Sequence, residues 1–117
     1  MKLREVVEAL GLQVRCGADR LDREVQGAYV SDLLSDVMAR ARAGSVWITL
    51  QTHLNVVAVA ALNDLAGVIL VNGRQPEETT LQKAEEEGVV VMISPEPSFE
   101  VAGKLYQMGL RGGHGPG

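Results

Sequence analysis

Apolar residues recur at Leu3, Val6, Val7 and Leu10, the i, i+3, i+4, i+7 spacing that gathers side chains on one face of a helix. The spacing returns at Leu33, Leu34, Val37, Met38 and Ala41, so two amphipathic helices are predicted, each with one wet face. Strands are predicted at 12–16, 25–30, 46–50, 68–71 and 89–93. The last three are short, nearly unbroken apolar runs, which suit strands covered on both faces. Residues 55–65 are apolar almost all round and read as a buried helix. Residues 76–87 carry Glu77, Glu78, Lys83, Glu85, Glu86 and Glu87 around a thin stripe of Leu81 and Ala84, the pattern of a solvated cover. A final helix over 98–108 places Phe99, Ala102, Leu105 and Tyr106 on one side, with Phe99 and Trp47 expected in the core.

Glycines follow each helical segment, at Gly11, Gly44, Gly67, Gly88 and Gly109, where each is expected to cap a helix C-terminus. From Gly44 onward they recur roughly every 20 residues, about one short strand plus one helix and their turns. Strand–helix alternation of this kind predicts an α/β fold: three α/β/α layers around a mainly parallel, five-stranded sheet. Only residues 17–24 join the first two strands, too few for a parallel crossover, so one edge strand is expected to be antiparallel. A single domain is predicted over 1–110. The remainder, 111–117, has no apolar residue, so a disordered tail with a solvent-exposed His114 is expected.

Composition narrows the function. The chain has 117 residues, 46% hydrophobic and 22% charged, enough for one core. A formal net charge of -4 gives no general pull toward phosphate backbones, so nucleic acid is not an expected partner. The lone Cys16 allows neither an internal disulfide nor a second thiolate ligand; it fits a reducing cytoplasm and reads as a small buried hydrophobe at a strand end. Lys2, Arg4, Glu5 and Glu8 interrupt the apolar run a secretory signal needs. Between Arg42 and Asp64 no charge occurs, but Gln51, Thr52, His53 and Asn55 sit in the middle of that stretch and would be costly in hydrocarbon. Strand, polar turn and helix are expected there, with no membrane partner.

The run Asp22-Arg23-Glu24-Val25-Gln26-Gly27, followed by Tyr29-Val30-Ser31-Asp32-Leu33-Leu34-Ser35-Asp36-Val37-Met38, resembles a free-standing DRTGG domain. Residues Trp47-Ile48-Thr49-Leu50-Gln51-Thr52-His53 and Phe99-Glu100-Val101-Ala102-Gly103-Lys104-Leu105-Tyr106 match as well, and the likeness covers about 1–110. Two departures stand out: Glu24-Val25-Gln26 separates Arg23 from Gly27, and Ala28 replaces the second glycine. The resemblance implies a fold similar to the N-terminal domain of HPr kinase/phosphorylase, without kinase activity. It also implies a regulatory and dimerising role like that of DRTGG domains placed between CBS domains in regulated pyrophosphatases and within some phosphotransacetylases. It transfers no catalytic residue. The Asp22-Arg23 pair reads either as an internal ion pair that fixes a turn or as a ligand contact.

In open α/β sheets, ligands bind beyond the carboxyl ends of the strands, where helix N-termini present amides and a positive dipole end. Gln51, Thr52, His53 and Asn55 follow the third predicted strand; Asn72, Gly73, Arg74 and Gln75 the fourth; Ser94, Pro95, Pro97 and Ser98 the fifth; Ser31 and Asp32 the second. Neutral donors with one Arg and one His suit a small anion or a nucleotide phosphate, which makes Gln51, Thr52, His53, Asn55, Asn72, Gly73, Arg74, Ser94 and Ser98 the candidate ligand residues. Blander roles compete: His53 as a cap or core residue, Ser31 and Ser98 as N-caps, Asn72-Gly73 as a tight turn, Arg74 as a surface charge. No phosphate-loop, dinucleotide or nucleophile-elbow motif occurs, two histidines and a distant cysteine make a poor zinc set, and no spacing favours a Cys16–His53 nucleophile pair. A non-catalytic regulatory or adaptor domain is therefore expected, without cofactor, self-associating as a homodimer and binding a small anionic metabolite or nucleotide. The alternatives are a small phosphotransfer enzyme using His53 and a structural subunit docked on a larger complex.

Overall fold

The computed structural model describes residues 1–112; the other predicted tail residues, with His114, lie outside the described residues. In chain order the elements are α1 (Leu3–Leu10), β1 (Gln13–Cys16), β2 (Gly27–Val30), α2 (Leu34–Arg40), β3 (Ser45–Thr49), α3 (Asn55–Leu62), β4 (Gly67–Leu70), α4 (Glu78–Glu87), β5 (Val91–Ile93) and α5 (Ser98–Gln107). Among the described residues the five strands form one sheet in the order β1-β5-β4-β3-β2. From β2 to β5 the chain steps one place at a time, every pair parallel, through α2, α3 and α4. A parallel crossover is right-handed, so steps in one direction put these helices on one face of the sheet.

The period of two along each strand divides the interior into two cores. Trp47, Val68, Leu70, Val91 and Ile93 face Val37, Val56, Val57, Val59, Ala60 and Ala84 of α2, α3 and α4. Val46, Ile48, Ile69, Val71 and Met92 face Leu3, Val6 and Leu10 of α1 and Val101 and Leu105 of α5. The short apolar runs of β3, β4 and β5 are buried at every position because both faces are covered. The fold is the expected three-layer α/β/α arrangement.

The antiparallel edge strand is β1, which pairs with β5, Gln13 opposite Ile93. Its connection to β2 spans the full width of the sheet to the opposite edge. Backbone bonds brace that connection against the N-terminus: Leu3 N–H donates to Arg23 O (2.9 Å), Arg4 N–H to Leu21 O (2.8 Å) and Val25 N–H to Met1 O (2.7 Å).

Several expectations are corrected. Phe99 is not in the core: 82% of it is exposed, and Tyr106 is 60% exposed, because α5 docks through Val101 and Leu105 instead. Gly67 caps no helix; it opens β4, where a Cβ would stand 2.6 Å from Met92 Cε. The left-handed residue after α3 is Asp64 (φ 54). Gly44, also left-handed (φ 81), lies beyond the C-cap of α2, which is Ala41. Asp22 and Arg23 do not pair with each other. Asp22 accepts from Arg4 of α1 at 2.9 Å, and that guanidinium holds its carboxyl below the usual range. Arg23 donates to the Asp64 carboxylate (3.0 Å), the Asp64 carbonyl (2.7 Å) and the Leu65 carbonyl (3.4 Å). Arg23 thus clasps the left-handed turn that ends α3, a conformation costly for a residue with a Cβ.

Residues 111 and 112 lie along the outer edge of β2: Ala28 N–H donates to Arg111 O (2.9 Å), and Gly112 bridges Ala28 in parallel. A Cβ at Gly27 would stand 2.8 Å from Arg111 O, so this close approach needs the glycine.

Arg23→Ala is expected to lower the free energy of unfolding by about 1–2 kcal/mol, through lost charge-assisted bonds at the α3 turn. Asp22→Ala should cost less, since its only ionic partner sits at the surface. Urea denaturation of both variants checks the ranking; no loss at Arg23, or a larger one at Asp22, contradicts the clasp.

Candidate functional site

Because β2, β3, β4 and β5 run the same way, the segments after them meet along one rim. Their hydrogen bonds tie neighbour to neighbour. Asp32, after β2, takes the Thr49 hydroxyl and the Leu50 amide on one carboxylate oxygen, both at 2.7 Å, while its carbonyl accepts from the Gln51 side chain at 2.8 Å. Arg74, after β4, donates to Leu50 O (3.3 Å). Thr52 O, after β3, accepts from the Thr80 hydroxyl (2.7 Å) and the Glu77 amide (3.3 Å) at the start of α4. Asn72 N–H donates to Glu96 O (2.9 Å) and Gly73 N–H to Ser94 O (2.8 Å), which closes the β4 loop onto the β5 loop. Arg15 of β1 donates to Gln75, extending the chain of contacts to the antiparallel edge.

Gln51, Thr52, His53, Asn72, Gly73 and Arg74 therefore come together, and the last four of these are exposed. His53 Nδ1 accepts the Asn55 amide at 3.3 Å, a local cap over the first turn of α3. Asn72 (φ 58) and Gly73 (φ 65) are both left-handed with Arg74 N–H on Val71 O at 3.1 Å, a tight turn of the type that Asn-Gly favours. Ser94 is fully buried and its hydroxyl accepts the Glu96 amide (3.1 Å), so it shapes the loop from beneath. Ser98 is the first residue of α5, which runs on the opposite face; Pro97 is the N-cap, not Ser98. Ser31 accepts the Leu33 amide (3.2 Å) just ahead of α2, whose N-cap position is Leu33. Asn55 is exposed on α3's first turn.

The hub of this network is Asp32, a residue the sequence shows only as one more polar group after a strand. Its signal is chemical: a short carboxylate beside a strand end can collect the orphaned amide and hydroxyl of the next strand. The sequence also leaves unmarked two hollows that flank the outer edge of β2. One, of about 280 Å³, lies on the α5 side and is lined by Val30, Ile48, Ala102, Leu105, Tyr106 and Arg111 among others. The other, of about 480 Å³, lies between Tyr29 and the end of α2 at Arg40, Ala41 and Arg42.

The sequence profile of the DRTGG domain matches residues 5–108. The chain belongs to the DRTGG domain family. No curated protein matches it. Among solved structures, it is similar to the CBS and DRTGG domains of the regulatory region of Clostridium perfringens pyrophosphatase, complexed with the activator diadenosine tetraphosphate. That likeness has a TM-score of 0.66 at 13% identity, over 90% of this chain and 46% of the other, so this chain spans about half the length of the structure it matches. At such identity the likeness shows the fold.

In this DRTGG domain the signature residues sit at the rim's opposite pole, the amino ends of the parallel strands, where Arg23 clasps the α3 turn. Among the described residues no group of three or more His, Cys, Asp or Glu is placed to hold a metal ion, and no helix is long and apolar enough to cross a membrane. Cys16, 9% exposed, lies far along the chain from the rim residues and donates its thiol to Glu85 at 3.4 Å. Burial first, then the Glu85 carboxylate, push its pKa from 9.0 to about 11. A thiol so held is a poor nucleophile, and nothing joins it to His53.

The folded DRTGG domain favours the protonated thiol, so this group stabilises the fold below its ordinary pKa, and that contribution is lost as pH rises toward about 11. A disulfide reagent at neutral pH should label Cys16 far more slowly in the folded chain than in urea. Equal rates in the two states would contradict its burial.

Proposed function

We propose that this DRTGG domain is a non-catalytic regulatory module that binds a small anionic metabolite or nucleotide at its rim and pairs with a second copy of itself. One observation carries the ligand reading: the parallel ladder sets Gln51, Thr52, His53, Asn72, Gly73 and Arg74 side by side on one surface, held by bonds among their own loops. Such a surface is already ordered, which lowers the entropic cost of binding. Arg74 is its cation, and a guanidinium suits phosphate oxygens better than an ammonium does. The regulatory part is supported by the similar pyrophosphatase region, which is itself regulatory and complexed with a nucleotide activator.

Self-association is supported by apolar side chains left outside both cores: Leu33 is 63%, Met38 46% and Leu62 70% exposed. Asn63, next to Leu62, donates to the Val37, Met38 and Ala41 carbonyls, so this end of α3 lies against α2. A two-fold dimer would cover such a patch with its own copy. The phosphotransfer alternative gains nothing from the geometry. His53 has Nδ1 on a backbone amide, and no carboxylate among the described residues hydrogen-bonds its ring to orient it as a base.

Thermal unfolding with diadenosine tetraphosphate, adenosine nucleotides and inorganic phosphate tests the rim. At least one nucleotide should raise Tm, and Arg74→Ala should abolish that rise while leaving the ligand-free Tm unchanged. Light scattering at high micromolar concentration should give a dimer that Leu62→Glu dissociates. A flat response to every compound contradicts the ligand reading; a monomer contradicts the self-association.

A further inference from the structure

β2 is the edge strand opposite β1, and its outer side is only begun by another segment. Ser31 N–H donates inward to Ile48 O (3.3 Å), whereas Ala28 N–H donates outward to Arg111 O (2.9 Å). By the alternation of a parallel ladder, Val30 turns its amide and carbonyl the same way as Ala28, outward. Val30 is 49% exposed. A strand laid along this edge would send alternate side chains to opposite faces of the sheet, and on each face one of the two hollows waits for them.

The two hollows differ in chemistry. The α5-side hollow is walled mainly by apolar groups, Val30, Ile48, Ala102 and Leu105, with the Tyr106 ring under the Arg111 guanidinium at 3.7 Å. The α2-side hollow is lined by Tyr29, Arg40 and Arg42. The one carboxylate that joins Tyr29 to Arg40 is Asp36, which accepts the tyrosine hydroxyl at 2.8 Å and lies 3.5 Å from the arginine. Arg40, Arg42 and Arg111 thus gather around one strand edge of a chain whose net charge is -4.

From this placement we infer that the β2 edge docks an extended acidic segment of a partner protein, added as a further strand, with its acidic side chains over Arg40 and Arg42 and its alternate apolar side chains in the α5-side hollow. Main-chain pairing supplies affinity and the two hollows supply selection, the logic of strand addition. Charge decides the occupant. A second copy presenting the same edge across a two-fold axis would bring the same arginines face to face, whereas an acidic strand neutralises them. This docking site is separate from the rim and does not rest on a ligand there.

The probe is a short fluorescein-labelled peptide of alternating glutamate and valine, read by anisotropy with the full chain. Binding should be saturable and weaken with salt. It should fall about tenfold or more for Arg40→Glu with Arg42→Glu, and similarly for Val30→Pro, which removes one outward amide at an edge position where proline is tolerated. The same peptide N-methylated at every residue, which keeps its charges but has no main-chain donors, should not bind. That comparison uses the unaltered protein and stands even if a variant fails to fold. Absence of binding, equal binding of the N-methylated peptide, or equal binding of a lysine–valine peptide overturns the proposal. So does sedimentation in which Val30→Pro turns a dimer into a monomer, since a second copy would then own the edge.

Discussion

A sheet covered on both faces, its last four strands wound in one direction, is the constraint from which the other features follow. Each strand of the ladder must satisfy two cores at once, so Trp47 and Val68 serve one side while Ile48 and Ile69 serve the other, all fully buried. A single polar intruder at these positions would strand an unpaired group in either core. Winding in one direction then leaves no freedom in where the loops go: every segment that leaves a parallel strand leaves it at the same end. The rim is a by-product of burial, and so is the clasp at the other pole, where Arg23 holds the turn that returns α3 to β4.

The same geometry separates roles. At the amino ends of the strands, the residues that give the family its name are spent on tying α1, the β1–β2 connection and the α3 turn together. At the carboxyl ends, loops of neutral polar groups lean on one another through Asp32 and Arg74. The outer edge of β2 answers to neither pole, with arginines on both of its faces. A module built this way can hold a small ligand and a protein partner on different surfaces, as a regulatory role requires.

Much of this is legible in the chain itself. Apolar runs of strand length, amphipathic spacing and the short link after Cys16 are local properties, and they yield the elements, the layers and an antiparallel edge. The partner of that edge is not local: link length forbids a crossover without choosing between β2 and β5. On α5, two stripes are available, one through Phe99 and Ala102 and one through Val101 and Leu105. Docking over the sheet selects the second, leaving Phe99 in solvent. Glycine spacing misleads at Gly67 because two demands, a left-handed turn and a close approach, call for the same residue; here Asp64 takes the turn and Gly67 the approach to Met92. Strand ends mark the rim residues, but the bonds that organise them join Asp32 to Thr49 and Asn72 to Glu96, pairs whose spacing carries no pattern. The hollows beside β2 need residues near 29, 40 and 111 at once, which only the folded chain brings together.

The central claim is that the rim is one preformed surface carried by the parallel ladder, and native-state hydrogen exchange followed by NMR reads it amide by amide. Trp47, Ile48, Val68 and Ile69 should exchange only through global unfolding. The Leu50, Asn72 and Gly73 amides, bonded across loops to Asp32, Glu96 and Ser94, should also be strongly protected despite their place at the surface. Exchange of these three at unprotected rates, beside a protected β3 and β4, would show loops that move independently and would contradict the account.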